Sequence, residues 1–289
     1  MNKVTVRAHA KINLLLDITG TLPNGYHGLH MIMQSVSLCD TVTVERGAHA
    51  LECSDPAVPT DARNIVWKAA NAFEKATGID CTDTRITIDK RIPSAAGLAG
   101  GSADGAAVLA ALNRLHGTDL SAGQLCRIGA AVGADVPFCL TGGTCLALNI
   151  GDVLAPLPAF EGYTLVLAKP DCGVSTAEAY AAFDQAIGVS HPHFTQLLFD
   201  AAKGDWPRVF RGTCNTFEQF VEVVDRVPIK SVMRRSGSLF SMMSGSGPTV
   251  FGVFRTRAEA ESCAGELQTQ YPHVFVCDPV PYGLQIETK

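Results

Sequence analysis

The stretch Pro93–Gly105, which reads Pro-Ser-Ala-Ala-Gly-Leu-Ala-Gly-Gly-Ser-Ala-Asp-Gly, decides the interpretation of this chain. Before it, Thr84–Lys90 alternates isoleucine with polar residues, as a half-buried strand does. After it, Ala106–Leu115 has apolar residues at helical spacing and contains no helix breaker. A strand, a glycine-rich loop and a helix N-terminus near Ser102 together form a phosphate cradle, because the first helical turn offers unpaired N–H groups and the positive end of the helix dipole.

The two most familiar phosphate loops are excluded. A Walker loop requires a Gly-Lys dipeptide and a dinucleotide fingerprint requires G-x-G-x-x-G, and the sequence contains neither. By itself the loop is equally compatible with a close strand–helix turn in which small residues serve only packing. Its neighbours in the sequence favour a functional role.

Composition limits the class of protein. A chain of 289 residues, 47% hydrophobic and 18% charged, is typical of a globular protein with two domains. The net charge of −5 and the lack of a Lys/Arg cluster argue against nucleic-acid binding. Ten cysteines without a C-x-x-C pair disfavour a disulfide framework or a zinc site and indicate a reducing compartment. Charged residues throughout the first apolar run exclude a signal-peptide core. We therefore expect a cytoplasmic protein with no membrane partner.

Local patterns predict an α+β chain. Strands are expected at Val4–Val6, Ile12–Ile18, Val42–Glu45 and Tyr163–Ala168, and helices from a capping Asp61 to about Thr77 and at Ser121–Val132, Thr176–Ala186 and Asn215–Val224. The segment Leu154–Pro158 is interpreted as a connector. The sequence thus predicts two domains, residues 1–155 and 156–289, with a cleft between them.

Lys11 and Asp135 are the candidates for chemistry. Lys11 lies in an apolar strand and shares one strand face with Asn13, so it either points to solvent or lines a cleft. Asp135 follows a predicted helix in Gly-Ala-Asp-Val-Pro, where an Asp commonly bonds its own backbone. Phosphoryl transfer to an alcohol needs a carboxylate near the hydroxyl and a cation near the developing charge. These two residues supply one of each.

An aromatic pair, Tyr26-His27, follows a Pro-Asn-Gly turn. It is either a packed anchor of the loop or a platform that stacks against a heterocycle and hydrogen-bonds its edge.

These motifs together resemble the GHMP kinases over nearly the whole chain. The matching segments are Ala10-Lys-Ile-Asn-Leu, Asn24-Gly-Tyr-His, Asp40-Thr-Val, Pro93–Ser102, Gly133-Ala-Asp-Val-Pro-Phe and Met243-Ser-Gly-Ser-Gly-Pro-Thr-Val-Phe. Gly-Tyr-His is the element that discriminates between members of the family. The chain departs from the family pattern at Ala103, where a second serine is common, and this leaves Ser102 as the hydroxyl at the loop end and the metal ligands unknown.

The resemblance implies a fold and an activity. The expected fold is α+β, with an N-terminal domain similar to part of ribosomal protein S5, a ferredoxin-like C-terminal domain, and the active site in the cleft. The expected activity is ATP-dependent phosphorylation, with Mg²⁺, of the 2-hydroxyl of 4-diphosphocytidyl-2-C-methyl-D-erythritol in the non-mevalonate route to isoprenoid precursors. A GHMP kinase for another small alcohol, and a nucleotide-binding relative without catalysis, remain as alternatives. The resemblance does not predict the oligomeric state.

The resemblance also implies roles for individual residues. Asp135 would be the catalytic base and Lys11 its electrostatic partner. The residues expected to bind ATP are Pro93, Ser94, Ala95, Ala96, Gly97, Leu98, Ala99, Gly100, Gly101, Ser102, Ala103, Asp104 and, at the adenine, Asn64. Those expected to bind the cytidyl substrate are Asn13, Tyr26, His27 and Tyr180.

Overall fold

A computed structural model describes residues 2–287 as two sheets with helices packed against them. The strands are β1 Lys3–Thr21, β2 His27–Arg46, β3 Ala50–Cys53, β4 Thr84–Asp89, β5 Thr144–Asn149, β6 Val153–Pro156, β7 Thr164–Lys169, β8 Phe240–Met243, β9 Val250–Phe254, β10 His273–Cys277 and β11 Leu284–Glu287. The helices are α1 Ile65–Thr77, α2 Gly100–His116, α3 Ala122–Ala130, α4 Val136–Thr141, α5 Thr176–Gln185, α6 Phe194–Ala202, α7 Trp206–Gly212, α8 Arg226–Arg235 and α9 Arg257–Leu267. The mixed architecture confirms the expected α+β class.

The first sheet is organised by the long hairpin of β1 and β2. Its order is β11-β1-β2-β4-β3, and β5 and β6 extend it from the other half of β2. Among its strands within residues 2–287, only β3 and β4 pair in parallel. The pairing of β1 with β2 shifts register between His9 and Lys11 and again between Asn13 and Leu15. Because a bulge re-aims the side chains beside it, these shifts determine how Lys11 and Asn13 are presented.

The second sheet is antiparallel, in the order β10-β7-β9-β8. Its strands β7 and β9 are buried along their whole length. One face, with Val166 and Ala168, packs in a core made of second-half residues, and the other, with Leu165 and Leu167, joins the main core. The final strand, β11, returns to the first sheet and pairs with Thr5–Ala8 of β1. The two sheets are therefore connected twice by the chain.

Helix α2 lies in the middle of the main core. Eleven of its residues are buried, among them Val108, Leu109 and Leu112. It packs against α1, β1 and β2, so the glycine loop that precedes it stands on a rigid support. No helix within residues 2–287 has the length and apolar character needed to cross a membrane.

Three local predictions were wrong. Helix α1 is capped by Asn64, whose side chain accepts from Val66 N, because Asp61 instead accepts the N–H of Arg63 in a preceding turn. The predicted connector Leu154–Pro158 includes β6, which gains backbone partners on β5. The predicted helix Asn215–Val224 contains only a 3₁₀ turn, Thr216–Gln219.

Candidate active site

A cavity of about 670 Å³ collects most of the residues that the sequence singles out. Lys11, Asn64, Asp135 and Tyr180 line it, and so does all of Pro93–Asp104 except Leu98 and Ala103. Those two side chains point into the core, with at most 1% of their surface exposed. Residues from both halves of the chain therefore share one cleft.

The glycine loop leaves the start of α2 open to a ligand. Ala99 stands at the N-cap with φ 58° and has no side-chain capping bond, so the side chain does not occupy the N–H groups of the first turn. Ala95 and Gly97 also have positive φ, at 48° and 73°. Left-handed backbone at an alanine costs about 1–2 kcal/mol, so the surrounding structure must hold this loop in shape.

A second glycine loop, Ser244–Gly247, provides that support. The Ser244 hydroxyl donates to the Gly97 carbonyl at 2.9 Å, and a Cβ added to Gly97 would stand 2.1 Å from the Ser244 carbonyl oxygen. Asn215 Nδ2 donates to the carbonyls of Met243 and Gly245, both at 2.8 Å. Gly245 and Ser246 line the cavity. From the sequence this segment is one of the motifs that resemble the GHMP kinases, and only the structure places it against the first glycine loop.

Lys11 is a buried residue of the cleft. It is 5% exposed, which excludes the alternative of a solvent-facing lysine. Its backbone N–H donates to the Leu98 carbonyl at 3.1 Å, so the glycine loop is bonded directly to the strand that carries the lysine. Its ammonium donates to Asn13 Oδ1 at 2.8 Å and lies 3.8 Å from Asp135 Oδ2.

Asp135 stands at the N-cap of α4 but makes no side-chain capping bond. The alternative of a carboxylate that bonds its own turn is therefore wrong. One third of its side chain is exposed, at 33%, and its ion pair is with Lys11. An ammonium and a partly exposed carboxylate thus face one space, as proton transfer from a bound alcohol requires.

Asn13 connects these groups rather than lining the cavity. It is fully buried, and its Oδ1 accepts both from Lys11 Nζ and from the Gly245 N–H at 3.0 Å. Its Nδ2 lies 3.4 Å from Met31 Sδ. The position of the lysine is therefore tied to the second glycine loop through one amide.

A buried ionic cluster under the glycine loop escaped the sequence analysis. Lys90 Nζ donates to Asp40 Oδ2 at 2.5 Å and to Asp104 Oδ2 at 2.7 Å. Asp40 Oδ1 also accepts from the backbone N–H groups of Arg91 and Ile92.

Burial raises the pKa of the Asp104 carboxyl, although Lys90 acts in the opposite direction. Burial disfavours the charged form of Lys90, but the two carboxylates outweigh it and raise the pKa of that ammonium. The cluster fastens both ends of the loop.

The remaining predicted residues lie at the edges of the cleft. Asn64 lines it, but its side chain caps α1 and donates to the Pro59 carbonyl at 2.7 Å. Tyr26 is 61% exposed at the tip of the β1–β2 hairpin and is outside the cavity lining. His27 stacks on Tyr180, with ring centroids 4.4 Å apart. Burial and the nearby Asp135 carboxylate raise the pKa of Tyr180 to about 12, so its hydroxyl stays protonated.

Within residues 2–287 no group of three or more His, Cys, Asp or Glu side chains is arranged to hold a metal ion. His191, one of the two histidines around Pro192, instead bonds Asp17 through Nδ1 at 2.8 Å.

Comparison with known proteins agrees with this geometry. Family models for the GHMP kinases N terminal domain and the GHMP kinases C terminal region match residues 64–143 and 227–273. The chain is 44% identical to a 4-diphosphocytidyl-2-C-methyl-D-erythritol kinase of Gloeobacter violaceus, over 99% of this chain and 98% of that one. It is 40% identical to the kinase of the same name from Clostridium botulinum, strain Alaska E43, over 94% and 98% of the two chains.

Solved structures show the same fold. A crystal structure of a 4-(cytidine 5'-diphospho)-2C-methyl-D-erythritol kinase matches with a TM-score of 0.78 and 29% identity, over 95% of this chain and 98% of that chain. A homoserine kinase from Cytophaga hutchinsonii, 17% identical, matches with a TM-score of 0.74 over 99% and 98% of the two chains, which shows a shared fold alone.

Proposed function

We propose a reaction and residue roles from the premise that this chain belongs to the GHMP kinases, within their 4-diphosphocytidyl-2-C-methyl-D-erythritol kinase family. The enzyme transfers the γ-phosphoryl group of ATP to the 2-hydroxyl of 4-diphosphocytidyl-2-C-methyl-D-erythritol. The products are the 2-phosphate and ADP, in the non-mevalonate route to isoprenoid precursors. The observation that carries the proposal is the pair of Lys11 Nζ and Asp135 Oδ2, 3.8 Å apart, beside an open helix N-terminus in one cavity.

Asp135 acts as the base. Its carboxylate accepts the proton of the 2-hydroxyl while that oxygen bonds to the γ-phosphorus and the bond from phosphorus to the β–γ bridging oxygen breaks, which releases ADP. Lys11 stabilises the negative charge on the attacking oxygen and the transferring group. Asn13 holds Lys11 Nζ through the hydrogen bond at 2.8 Å and is fully buried, so we assign it to positioning. The substrate contact expected from the sequence stays a prediction.

The loop Pro93–Asp104 holds the ATP phosphates through the free N–H groups at the start of α2. Asn64, at the far side of the loop, lies near the adenine. Mg²⁺ would be carried chiefly by the phosphates, since magnesium is usually bound through substrate phosphates and few protein ligands. The loop end offers two oxygen atoms that fit it: the Ser102 hydroxyl, which lines the cavity, and Asp104 Oδ1, which is buried without a hydrogen-bond partner in the described part of the chain. When bound, the ion neutralises phosphate charge.

The cytidyl group binds at the other end of the cleft, against the tip of the β1–β2 hairpin and α5. Tyr26 and Tyr180 supply aromatic faces, and His27 supplies a polar edge. The stacked contact of His27 with Tyr180 supports this assignment, because it connects the hairpin to a residue that lines the cavity.

We also propose the division of the chain at 155/156. This division falls at the last residue of β6, which ends at Pro156, and precedes the second sheet, which begins with β7 at Thr164. The return of β11 to the first sheet adds the last strand to the N-terminal unit. Ten unpaired cysteines and a net charge of −5 support a cytoplasmic enzyme without a nucleic-acid partner.

The function is tested by measuring ADP formation, in a coupled assay, with the cytidyl compound, methylerythritol, its 4-phosphate and other small alcohols that GHMP kinases accept. We expect the cytidyl compound to have the highest kcat/KM. A higher value for another alcohol would identify a different kinase of the family. Nucleotide binding with no turnover of any alcohol would identify a non-catalytic relative.

A further inference from the structure

One turn of α5 holds the imidazole of His27 from three directions. Tyr180 stacks on the ring with centroids 4.4 Å apart at 15°, and Phe183 meets it edge-on at 5.5 Å and 86°. Asp184 Oδ1 lies 2.8 Å from Nε2. These three residues have the i, i+3, i+4 spacing that places side chains on the same side of a helix. The His27 ring therefore has one orientation, and Asp184 determines which of its nitrogen atoms carries the proton.

The carboxylate also selects a tautomer. An ionised Asp only accepts hydrogen bonds, so a neutral imidazole bonded to it carries its proton on Nε2 and presents a lone pair on Nδ1. In residues 2–287 the ring's hydrogen bond is the one at Nε2. Within the same residues Nδ1 has no hydrogen-bond partner, and the His27 side chain is 11% exposed.

We infer that Asp184 is a specificity-determining residue that acts through His27: by fixing the proton on Nε2, it makes Nδ1 an acceptor that selects cytosine over uracil. This rests on the proposed function, in which His27 meets the pyrimidine edge. Cytosine carries an exocyclic amine, which is a donor, where uracil carries a carbonyl, which is an acceptor. A uracil carbonyl would face the lone pair of Nδ1 and leave both acceptors unpaired, which costs more than a lost hydrogen bond.

A purely structural role for the pair is the main alternative. The Asp184 side chain is 51% exposed, and ion pairs at such exposure add little to stability. The two roles differ in what they predict for a wrong base: loss of a structural tie weakens binding of both bases, whereas release of the tautomer improves binding of uracil.

Asp184→Asn tests this directly, because an amide at this position can either accept from Nε2–H or donate to Nε2. The imidazole can then place its proton on Nδ1 when uracil is bound. We expect the ratio of kcat/KM for the cytidyl substrate to that for its uridyl analogue to fall about tenfold, mainly through improved use of the uridyl compound, with the KM for ATP unchanged. Glu178→Gln removes one negative charge from the same helix without contacting His27 and is the matched control, with the wild-type ratio.

Nitrogen-15 NMR of histidine-labelled protein identifies the tautomer of His27 independently of enzyme activity. The spectra are recorded at about pH 8, where an ordinary imidazole is neutral. We expect a single Nε2–H form for His27 in the wild type and in Glu178→Gln, and a mixed signal in Asp184→Asn. A wild-type Nδ1–H form, or a base ratio unchanged by Asp184→Asn, would overturn the inference. An enzyme that phosphorylates neither pyrimidine compound would refute the proposed function instead, and the His27 resonances, with and without cytidine diphosphate, would still decide whether Asp184 sets an acceptor for cytosine.

Discussion

Replacing Gly97 and Gly101 separately by alanine distinguishes a glycine needed by the protein from one needed by the ligand. At Gly97 a Cβ would stand 2.1 Å from the Ser244 carbonyl oxygen and 3.1 Å from that of Gly247. Both atoms belong to backbone, so no side chain can move to relieve the clash. At Gly101 the nearest atom is Ile65 Cγ2 at 3.6 Å, an ordinary contact, and the backbone there has no positive φ.

The expected magnitudes follow from these distances. At Gly97, whose φ is 73°, a left-handed alanine costs about 1–2 kcal/mol and forcing a methyl group against packed backbone costs about 1–3 kcal/mol more. We therefore expect Gly97→Ala to lower the free energy of unfolding by about 2–5 kcal/mol, or to displace the loop and weaken ATP binding by about tenfold or more. Gly101→Ala should leave stability within about 0.5 kcal/mol of the wild type.

Thermal unfolding and calorimetric titration with ADP measure both effects. If the phosphates approach the first turn of α2, Gly101→Ala weakens ADP binding in a protein of unchanged stability. If Gly101→Ala binds ADP with wild-type affinity, the loop is a turn that serves packing and does not bind phosphate. Unchanged stability together with unchanged affinity in Gly97→Ala would refute the contact between the two glycine loops.

Four further substitutions test the site. Asp135→Asn should keep the shape and lose the base, lowering kcat by about 10²–10⁴ with ATP affinity retained, and near-normal turnover would remove Asp135 from that role. Lys11→Met should also lower kcat more than it affects ATP binding, and an effect on the KM for ATP alone would contradict its assignment to the transferring group. Lys90→Met leaves two buried carboxylates without their cation and should lower the free energy of unfolding, measured by chemical denaturation, by about 3–5 kcal/mol. An unchanged denaturation midpoint would contradict the ionic cluster. Tyr26→Ala should raise the KM for the cytidyl substrate about tenfold while ATP affinity stays intact, and equal use of free methylerythritol by the wild type would refute cytidyl recognition altogether.

The phosphate loop could be predicted from sequence because its signals are local. Strand alternation ends where β4 ends, at Asp89, and the helix begins at Gly100, close to the expected Ser102. Periodicity, glycine content and the absence of helix breakers all act within a few residues of each other. The helix predicted at Ser121–Val132 is confirmed for the same reason: α3 begins at Ala122 with Ser121 as its N-cap.

Structure that depends on distant partners could not be predicted. Asn215 begins a segment with helical spacing, but its side-chain amide is fixed by two carbonyls of the second glycine loop and its own backbone is extended, with φ −117°. Strand β6 carries a proline and looks like a connector, yet β5 supplies its hydrogen bonds. In both cases tertiary contacts override local preference.

The same limit applies to the site. Asp40 comes from β2, Lys90 directly follows β4, and Asp104 comes from α2. Nothing in their separate sequence contexts indicates that one ammonium lies between two carboxylates. The pairing of Lys11 with Asp135 also remained open from sequence, although the residue types were informative. Chemistry can be inferred from residue types, whereas proximity requires the fold.

The backbone bond from Lys11 to Leu98 changes how variants of this site must be interpreted. Because the N–H of Lys11 donates to the loop at 3.1 Å, a shift of the loop also moves the lysine. Asn13 extends the coupling to the second glycine loop through Gly245. Loop variants are therefore expected to change kcat as well as the KM for ATP, and a mixed effect does not assign a loop residue to catalysis. Asp135 lies on α4, outside both loops, and makes no capping bond. Its substitution perturbs the chemistry with the least displacement of the nucleotide, and it is the variant from which the contribution of the base should be measured.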